Sequence, residues 1–346
     1  SFIDKKISML SKSLKQDLIL KTEIKENDKI LIDNQYIGTL KGLKFHVEFT
    51  SRTLDTDIKS IKKAARKGIH EELIKRVKLI ISEKDIVLSQ DNKILWKDNP
   101  IAKITKGSNY LKPNVEIISD DSLENSSKEN LETFLKSWLN NFIHSTLGDL
   151  LNLTKLKLNN QYLRALAFQL YERNGVIKRK EIENIIKKIP KEERKKLYGM
   201  GIKLGRYHVY LPKMFKPKSV GLRVGLWKLF NDQNTYAEIP KFGLNFIINK
   251  KYDKKFLLLC GFENFKEFFV RIDILEKLFI KILEKTKDRK FEVDSEMMNL
   301  LGCSKDNFLK LMLYMNYKKD KMANTYIFKG DKKNKLKKVQ IKENPF

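Results

Sequence analysis

The residues best suited to chemistry are cations interleaved with aromatic rings between residues 178 and 218. This segment holds 14 basic and 4 acidic side chains. Cations neutralise phosphates and aromatic rings stack on exposed bases, so the mixture is suited to single-stranded nucleic acid. A solvated helix face with buried tyrosines is the alternative, and the sequence alone leaves both open. The expected contacts in and beside this segment are Lys195, Lys196, Lys203, Arg206, Tyr207, His208, Lys213, Lys216, Lys218 and Arg223.

Two further cations lie in a second segment that could contact nucleic acid, residues 273–328. Its order of helix, short strand, two helices and a hairpin is typical of a winged helix, which is suited to groove or backbone contact. The third helix exposes Lys305 and Lys310, so both are candidate contacts. Many winged helices are protein–protein or spacer modules instead, and that reading stays open.

The sequence shows no catalytic motif. It has no phosphate loop G-x-x-x-x-G-K-[ST], no acidic box after an apolar strand, no H-E-x-x-H and no nucleophile elbow. The four histidines, His46, His70, His144 and His208, are widely scattered. We predict no catalytic residue, no metal ligand and no cofactor in this chain, and leave open whether it is an enzyme.

Cys260 and Cys303 are too few for a disulfide framework or a four-ligand zinc site. Both have apolar neighbours, which predicts small core residues. The sequence contains no signal peptide and no apolar run of about 18 residues, the length needed to span a bilayer. We therefore expect a cytoplasmic protein that does not bind membranes. The start at Ser1 without a methionine is expected of a fragment or a processed product.

The positive charge is concentrated in one part of the chain. The net charge is +28, from 71 Lys+Arg against 43 Asp+Glu over 346 residues. Only 11 of the basic residues are Arg, a lysine bias that an AT-rich genome would also produce. A genomic bias would add lysines equally along the chain, yet residues 1–150 have a net charge of +4 and residues 151–346 have a net charge of +24. This asymmetry favours a second half that binds polyanions.

The elements of the first 150 residues repeat with a period of about 64. Residues 30–48 and 94–116 each indicate a strand, an Asn-containing turn, a second strand, a Gly-marked turn and a third strand. A long amphipathic helix follows each copy, over residues 55–82 and again from about residue 129. We predict a duplicated β-meander–helix module, because two three-stranded meanders can share a core that neither could build alone.

Past residue 152 the pattern becomes mainly helical, so the predicted class is α+β, mainly helical. The predicted domains are residues 1–151, with repeats over 15–82 and 84–151, then a basic helical region over 152–260. A winged-helix-like module over 261–328 and a basic disordered tail over 329–346 complete the prediction. The tail has seven Lys and one Asp in residues 329–342.

Several segments, taken in order, resemble one protein family. They are Gly201–Pro212, Lys216–Pro217, Leu222–Arg223, Leu226–Trp227, Arg164–Leu170, Val270–Glu276, Met297–Ser304, Leu95–Trp96 and Leu111–Pro113. The family is the superfamily-2 ATP-dependent helicases of alphaproteobacterial type, bacterial relatives of the mitochondrial degradosome RNA helicase. The resemblance extends from about residue 30 to residue 317, and its specificity lies in the ordered combination of segments.

This resemblance implies an accessory C-terminal region that binds single-stranded RNA or DNA, or supports the motor domains of the same helicase. The motor domains, which would use ATP and Mg²⁺, have no counterpart here, so none of their residues can be assigned to this sequence. The alternative is a protein–protein interaction scaffold for an RNA-degradation or ribosome-associated partner, which the nearly balanced charge of residues 1–150 favours.

Overall fold

The computed structural model describes most of the chain, namely residues 22–25, 27–32, 35–48, 55–155, 158–231, 238–248, 252–320 and 325–329. These residues form ten α-helices and five small antiparallel sheets, which confirms the predicted α+β class. They belong to two compact units. The first unit takes in residues 1–146 and 224–236, and the second takes in residues 147–223 and 237–346.

The first unit contains two modules of the same design. In the first module the elements are β1 (Thr22–Ile24), β2 (Lys29–Ile32), β3 (Gln35–Lys41), β4 (Lys44–Val47) and α1 (Asp55–Glu83). In the second they are β5 (Ile86–Leu88), β6 (Lys93–Trp96), β7 (Asn99–Asn109), β8 (Lys112–Ile117) and α2 (Asn125–Asn152). Each set of four strands forms an antiparallel meander in chain order.

The strand registers confirm the duplication. The pair Glu23–Leu31 in the first sheet corresponds to the pair Val87–Leu95 in the second, a shift of 64 residues. Both sheets also have an irregular register at the same place, between Ile30 and Leu31 and between Ile94 and Leu95.

Each meander has four strands, where the sequence predicted three. The strands that were missed, β1 and β5, have only three residues each, too few to show the alternation by which a half-buried strand is recognised.

The two long helices bury one face each, as their periodicity predicts. The buried positions recur every three to four residues and are, in α1, Ala65, Ile69, Leu73, Val77 and Ile80, and in α2, Leu131, Leu135, Leu139, Ile143, Leu147 and Leu150. The aromatic residues Phe134, Trp138 and Phe142 of α2 are only half-buried, because the aliphatic residues spaced four apart form the centre of the face. Side chains before Ala65, including Ile58 and Ile61, lie outside the described residues.

A buried arginine fastens α1 to its meander. Arg76 donates through Nη1 to the carbonyl oxygens of Leu40 (2.8 Å) and Gly42 (2.9 Å). It also pairs with Asp28 through Nη2 and with Glu72 through Nε (3.2 Å). A buried guanidinium is tolerated because these carbonyl and carboxylate acceptors replace its lost hydration.

The second unit begins with the last six residues of α2, from Leu147, and continues into the elements that contain the basic segment. Its elements are α3 (Gln161–Glu172), β9 (Val176–Lys178), α4 (Arg179–Lys188), α5 (Lys191–Gly199), β10 (Lys203–Leu204), β11 (His208–Tyr210), a 3₁₀ turn (Pro212–Phe215) and α6 (Pro217–Phe230). The last seven residues of α6, from Val224 onward, belong to the first unit. The three strands pair in the order β10-β11-β9. Asn160 caps α3 by accepting from the backbone amides of Tyr162 and Leu163.

A small sheet and a short helix follow. They are β12 (Phe246–Ile248), α7 (Lys254–Leu259), β13 (Phe262–Phe265) and β14 (Phe268–Arg271), with the strands in the order β12-β14-β13. The sequence indicated only loops and single strands over residues 234–256. It missed α7 because six residues are fewer than two helical turns, although Asp253 caps the helix in the usual way.

The remaining elements have the order of a winged helix, as the predicted fold class states. They are α8 (Ile272–Lys285), β15 (Lys290–Glu292), α9 (Ser295–Leu301), α10 (Lys305–Tyr314), β16 (Tyr317–Lys319) and β17 (Thr325–Phe328), with the strands in the order β15-β17-β16. The turn between α9 and α10 has a glycine after one helix and a serine before the next. Gly302 adopts φ +68° after α9, and the Ser304 side chain caps α10.

The predicted domain boundaries stay predictions. The start of the first repeat, residues 15–21, and the basic tail from residue 330 onward lie outside the described residues. Within the ranges given above, no helix has both the length and the apolar character needed to cross a membrane.

Candidate nucleic-acid interface

The second unit contains a cleft of about 280 Å³. Four cations line it: Lys178 at the end of β9, Arg179 and Lys180 at the start of α4, and Arg206 in the loop before β11. Its other lining residues are Glu183, Tyr207, His208, Glu263, Phe265, Tyr314, Met315, Asn316 and Phe328. Cations, carboxylates and aromatic rings from six elements and the loops beside them therefore meet at one place.

The inner wall of the cleft is formed by Glu263 and His208. Glu263 accepts a hydrogen bond from Nζ of Lys178 (2.6 Å) and is hydrogen-bonded to Nε2 of His208 (2.6 Å). The Glu263 side chain is 10% exposed. Burial opposes its ionisation, but the hydrogen bonds and positive charges of His208 and Lys178 outweigh that effect and hold the pKa of Glu263 below its usual value. The inner wall therefore presents an ionised carboxylate.

The loop that carries Arg206 is fixed by a second carboxylate. Glu276, on α8, accepts from the backbone amides of Arg206 (2.6 Å), Tyr207 (2.9 Å) and His208 (3.1 Å). Gly205 makes this approach possible, because a Cβ atom there would lie 2.4 Å from the carboxyl carbon of Glu276. Three consecutive amides on one carboxylate fasten the backbone of the loop to α8.

Arg206 is exposed, yet its guanidinium is held in place. Its Cζ lies 5.6 Å from the ring centre of Phe279 and 5.8 Å from that of Phe328. Both distances are within the range of a favourable cation–aromatic contact. An arginine stacked in this way presents its planar donors at a defined position, an arrangement suited to phosphate oxygens.

Tyr207 does not offer a free ring. It is half-buried, its ring meets Phe279 edge-on with centroids 5.9 Å apart, and burial and a hydrogen bond with Tyr317 raise its pKa well above the usual value. The ring is therefore held by contacts within the protein, and the nucleic-acid contact predicted at Tyr207 stays a prediction.

Two of the predicted contacts are buried and cannot meet a nucleic acid. His208 is 1% exposed, and its Nε2 is hydrogen-bonded to Glu263. Arg223 is 0% exposed and donates to the carbonyl oxygens of Asn174 and Met214, each at 2.6 Å. Both predictions counted the charge or aromatic character of a residue without knowing which face of its element is buried.

The other predicted cations are exposed but lie away from the cleft lining. Lys195 and Lys196 lie on α5, and Lys203 lies on β10. Lys213 pairs with Asp149 at 3.1 Å. Lys216, Lys218, Lys305 and Lys310 are also exposed, the last two on α10. Only Arg206, Tyr207 and His208 of the predicted set line the cleft.

Sequence reasoning missed the rest of the cleft. Lys178, Arg179 and Lys180 lie inside the basic segment. Their position at the junction of a strand and a helix could have identified them as candidate contacts. Glu263 and Phe265 come from a hairpin that the sequence did not reveal. Phe328 and Tyr314 come from the winged-helix module, and only the tertiary structure places them beside the basic segment.

The predicted core position is confirmed for Cys260, which is buried, whereas Cys303 is only half-buried. Burial raises the pKa of the Cys303 thiol to about 11. Within the described residues, no three His, Cys, Asp or Glu side chains are grouped so that they could hold a metal ion.

Comparison of the chain with protein-family models, curated proteins and solved structures found no match.

Proposed function

We propose that this chain binds single-stranded nucleic acid through its second unit, as the accessory C-terminal region of an ATP-dependent RNA or DNA helicase. The observation that carries the binding proposal is the cleft, where four cations and four aromatic rings line one cavity. The helicase context rests on the sequence resemblance alone. ATP and Mg²⁺ would be used by motor domains, and this chain would hold the strand without catalysing a reaction.

The charge of the second half supports a phosphate ligand. Residues 151–346 have a net charge of +24, and each phosphate that a cation neutralises releases a condensed counterion. For binding by this mechanism, the logarithm of the affinity falls linearly with the logarithm of the salt concentration. The slope is about −0.7 per phosphate for a single strand.

The cleft favours a single strand over a duplex because its apolar surface is provided by ring side chains. Phe265 is half-buried and Phe328 is 36% exposed. Apolar and aromatic side chains can contact the face of an unpaired base, whereas the faces of paired bases are covered by stacking within a duplex.

The test is the binding of fluorescently labelled single-stranded RNA and DNA to the full chain between about 50 and 200 mM salt, the range over which phosphate contacts weaken strongly. We expect binding at low salt that falls steeply as salt rises. The double variant Lys180→Glu/Arg206→Glu should bind much more weakly than the wild type.

The matched control is Lys305→Glu/Lys310→Glu, which makes the same change in net charge on α10, outside the cleft lining. Undetectable binding at low salt, or equal binding by the cleft variant and the control, would contradict the proposal. ATP hydrolysis by the purified chain would contradict its non-catalytic part.

A protein-interaction scaffold is the second candidate, favoured by the balanced charge of the first 150 residues. A net charge of only +4 there gives little attraction for polyanions. Under this alternative the full chain would retain an RNA-degradation or ribosome-associated protein after nuclease treatment, and the cleft variant would retain it equally well.

A further inference from the structure

We infer that the cleft holds one unpaired base that carries an exocyclic amino group, with Glu263 as the acceptor and Arg206 at the phosphate. This inference rests on the proposed function and names the ligand class of the same site. It follows from the size of the cleft and from the separation of its positive and negative groups.

The size of the cleft suits one nucleotide. Its volume of about 280 Å³ lies just below the range for small-molecule pockets, about 300 to 1,000 Å³. A strand of several nucleotides would therefore place a single unit in the cleft and the others outside it.

The charges determine which part of the nucleotide enters. The buried Glu263 on the inner wall would repel a phosphate oxygen, because both groups are anionic. Lys180 and Arg206 are exposed, so they form the outer rim. The arrangement with favourable electrostatics has the phosphate at the rim and the base directed inward.

The inner wall then determines which base is accepted. An ionised carboxylate is an acceptor only, and its two oxygens together offer about four lone-pair sites. Lys178 uses one site of Glu263 and His208 uses another, so acceptor capacity remains on both oxygens. Adenine, cytosine and guanine have amino groups that can donate to it. Uracil and thymine have carbonyl oxygens in the corresponding region, and these would face the carboxylate unfavourably.

Phe265 provides apolar surface for the base. It lines the cleft and comes from the same strand as Glu263, two residues further along. Tyr314 is less suited to this role, because Nζ of Lys266 lies 4.2 Å from its ring centre and its hydroxyl donates to Glu267 at 3.0 Å.

The experiment compares labelled eight-nucleotide oligomers of adenylate, cytidylate and uridylate on the full chain at one salt concentration. We expect the adenylate and cytidylate oligomers to bind about tenfold more tightly than the uridylate oligomer, the factor typical of one hydrogen bond to a charged group. Glu263→Gln replaces one acceptor oxygen by an amide donor and should reduce this ratio to near one.

The matched control is Glu183→Gln, which removes a carboxylate from the exposed rim of the same cleft. It should leave the ratio unchanged. Phe265→Ala should weaken all three oligomers, and it keeps the inference testable if Glu263→Gln fails to fold. Excess AMP or CMP distinguishes the two sources of the ligand: competition identifies a free nucleotide as the occupant, and its absence identifies a strand.

Equal affinities for the three oligomers would overturn the inference while leaving the proposed function intact. A ratio that persists in a folded Glu263→Gln variant would overturn the role of Glu263. Failure of every oligomer to bind would overturn the proposed function, and the inference with it.

Discussion

Glu263 is the residue on which the character of the cleft depends most. Its side chain is 10% exposed, and a carboxylate this deep stays ionised only with partners of opposite charge. Lys178, on β9, is the cationic partner, and Nε2 of His208, on β11, is hydrogen-bonded to the same carboxylate. The hydrogen bonds therefore connect two separate sheets of the second unit as well as setting the charge of the inner wall.

The lowered pKa of Glu263 predicts acid sensitivity. The Glu263 carboxylate binds a proton more readily in the unfolded chain than in the folded chain. The stabilisation that its ionised form gives the fold is therefore complete above the usual pKa of 4.5, and it is lost as the pH falls through the lower pKa of the folded state. At neutral pH, Glu263→Gln should lower the free energy of unfolding by about 1 to 3 kcal/mol. Urea unfolding at several pH values should show this difference shrinking below about pH 4.5. A difference that stays constant down to pH 3 would contradict the assignment.

At the scale of elements, the loop between β10 and β11 depends on a contact with α8. The sequence made Gly201–Pro212 prominent through its glycines and its family resemblance, but the partner of the loop, Glu276, lies about 70 residues away. Gly205 and Glu276 depend on each other, because the glycine leaves the space in which the carboxylate accepts hydrogen bonds from three backbone amides.

Gly205→Ala should therefore lower the free energy of unfolding by more than a typical surface substitution does. The added Cβ would displace the Glu276 carboxylate and weaken its three hydrogen bonds, with an expected loss of about 1 to 3 kcal/mol in the free energy of unfolding. Nucleic-acid binding should fall as well, because Arg206 would lose its fixed backbone. Thermal unfolding and the oligonucleotide assay measure the two effects.

Gly221→Ala is the matched control. Gly221 lies inside α6, and no atom would lie within 4 Å of an added Cβ. Alanine should stabilise this helix by about 0.5 to 1 kcal/mol, because glycine loses more backbone entropy on folding. Gly205→Ala with the stability and binding of the wild type would show that the loop does not depend on Glu276.

At the scale of the whole molecule, the charge asymmetry and the cleft would make separate contributions to the proposed binding. The excess of cations in the second half would attract any polyanion, whereas the cleft would fix one nucleotide. Most of the predicted cations, such as Lys195 and Lys203, are exposed outside the cleft lining, so they would contribute to the general attraction.

This separation predicts how the salt dependence changes. Lys180→Gln/Arg206→Gln should make the slope of log affinity against log salt shallower by about 0.7 for each phosphate contact removed. Most of the slope should remain, because the other cations are unchanged. An unaltered slope would show that the phosphates bind elsewhere, and an equal reduction in Lys305→Gln/Lys310→Gln would assign a contact to α10.

The sequence by itself determined the local features. The 64-residue repeat, the helix predicted over residues 55–82 and the positive charge of the second half can each be recognised from the order of residues along the chain. His208 and Arg223 were predicted as nucleic-acid contacts although they are buried, because residue type does not reveal burial.

Only the tertiary structure decided which residues form the cleft. Lys178, Glu263, Tyr314 and Phe328 are distant in sequence and belong to four different elements, so no spacing rule connects them. Folding brings them together because apolar faces pack, and the polar groups at the edges of those faces must then find partners. The same process buried Arg223, left Arg206 exposed and so selected the residues on which the proposed function depends.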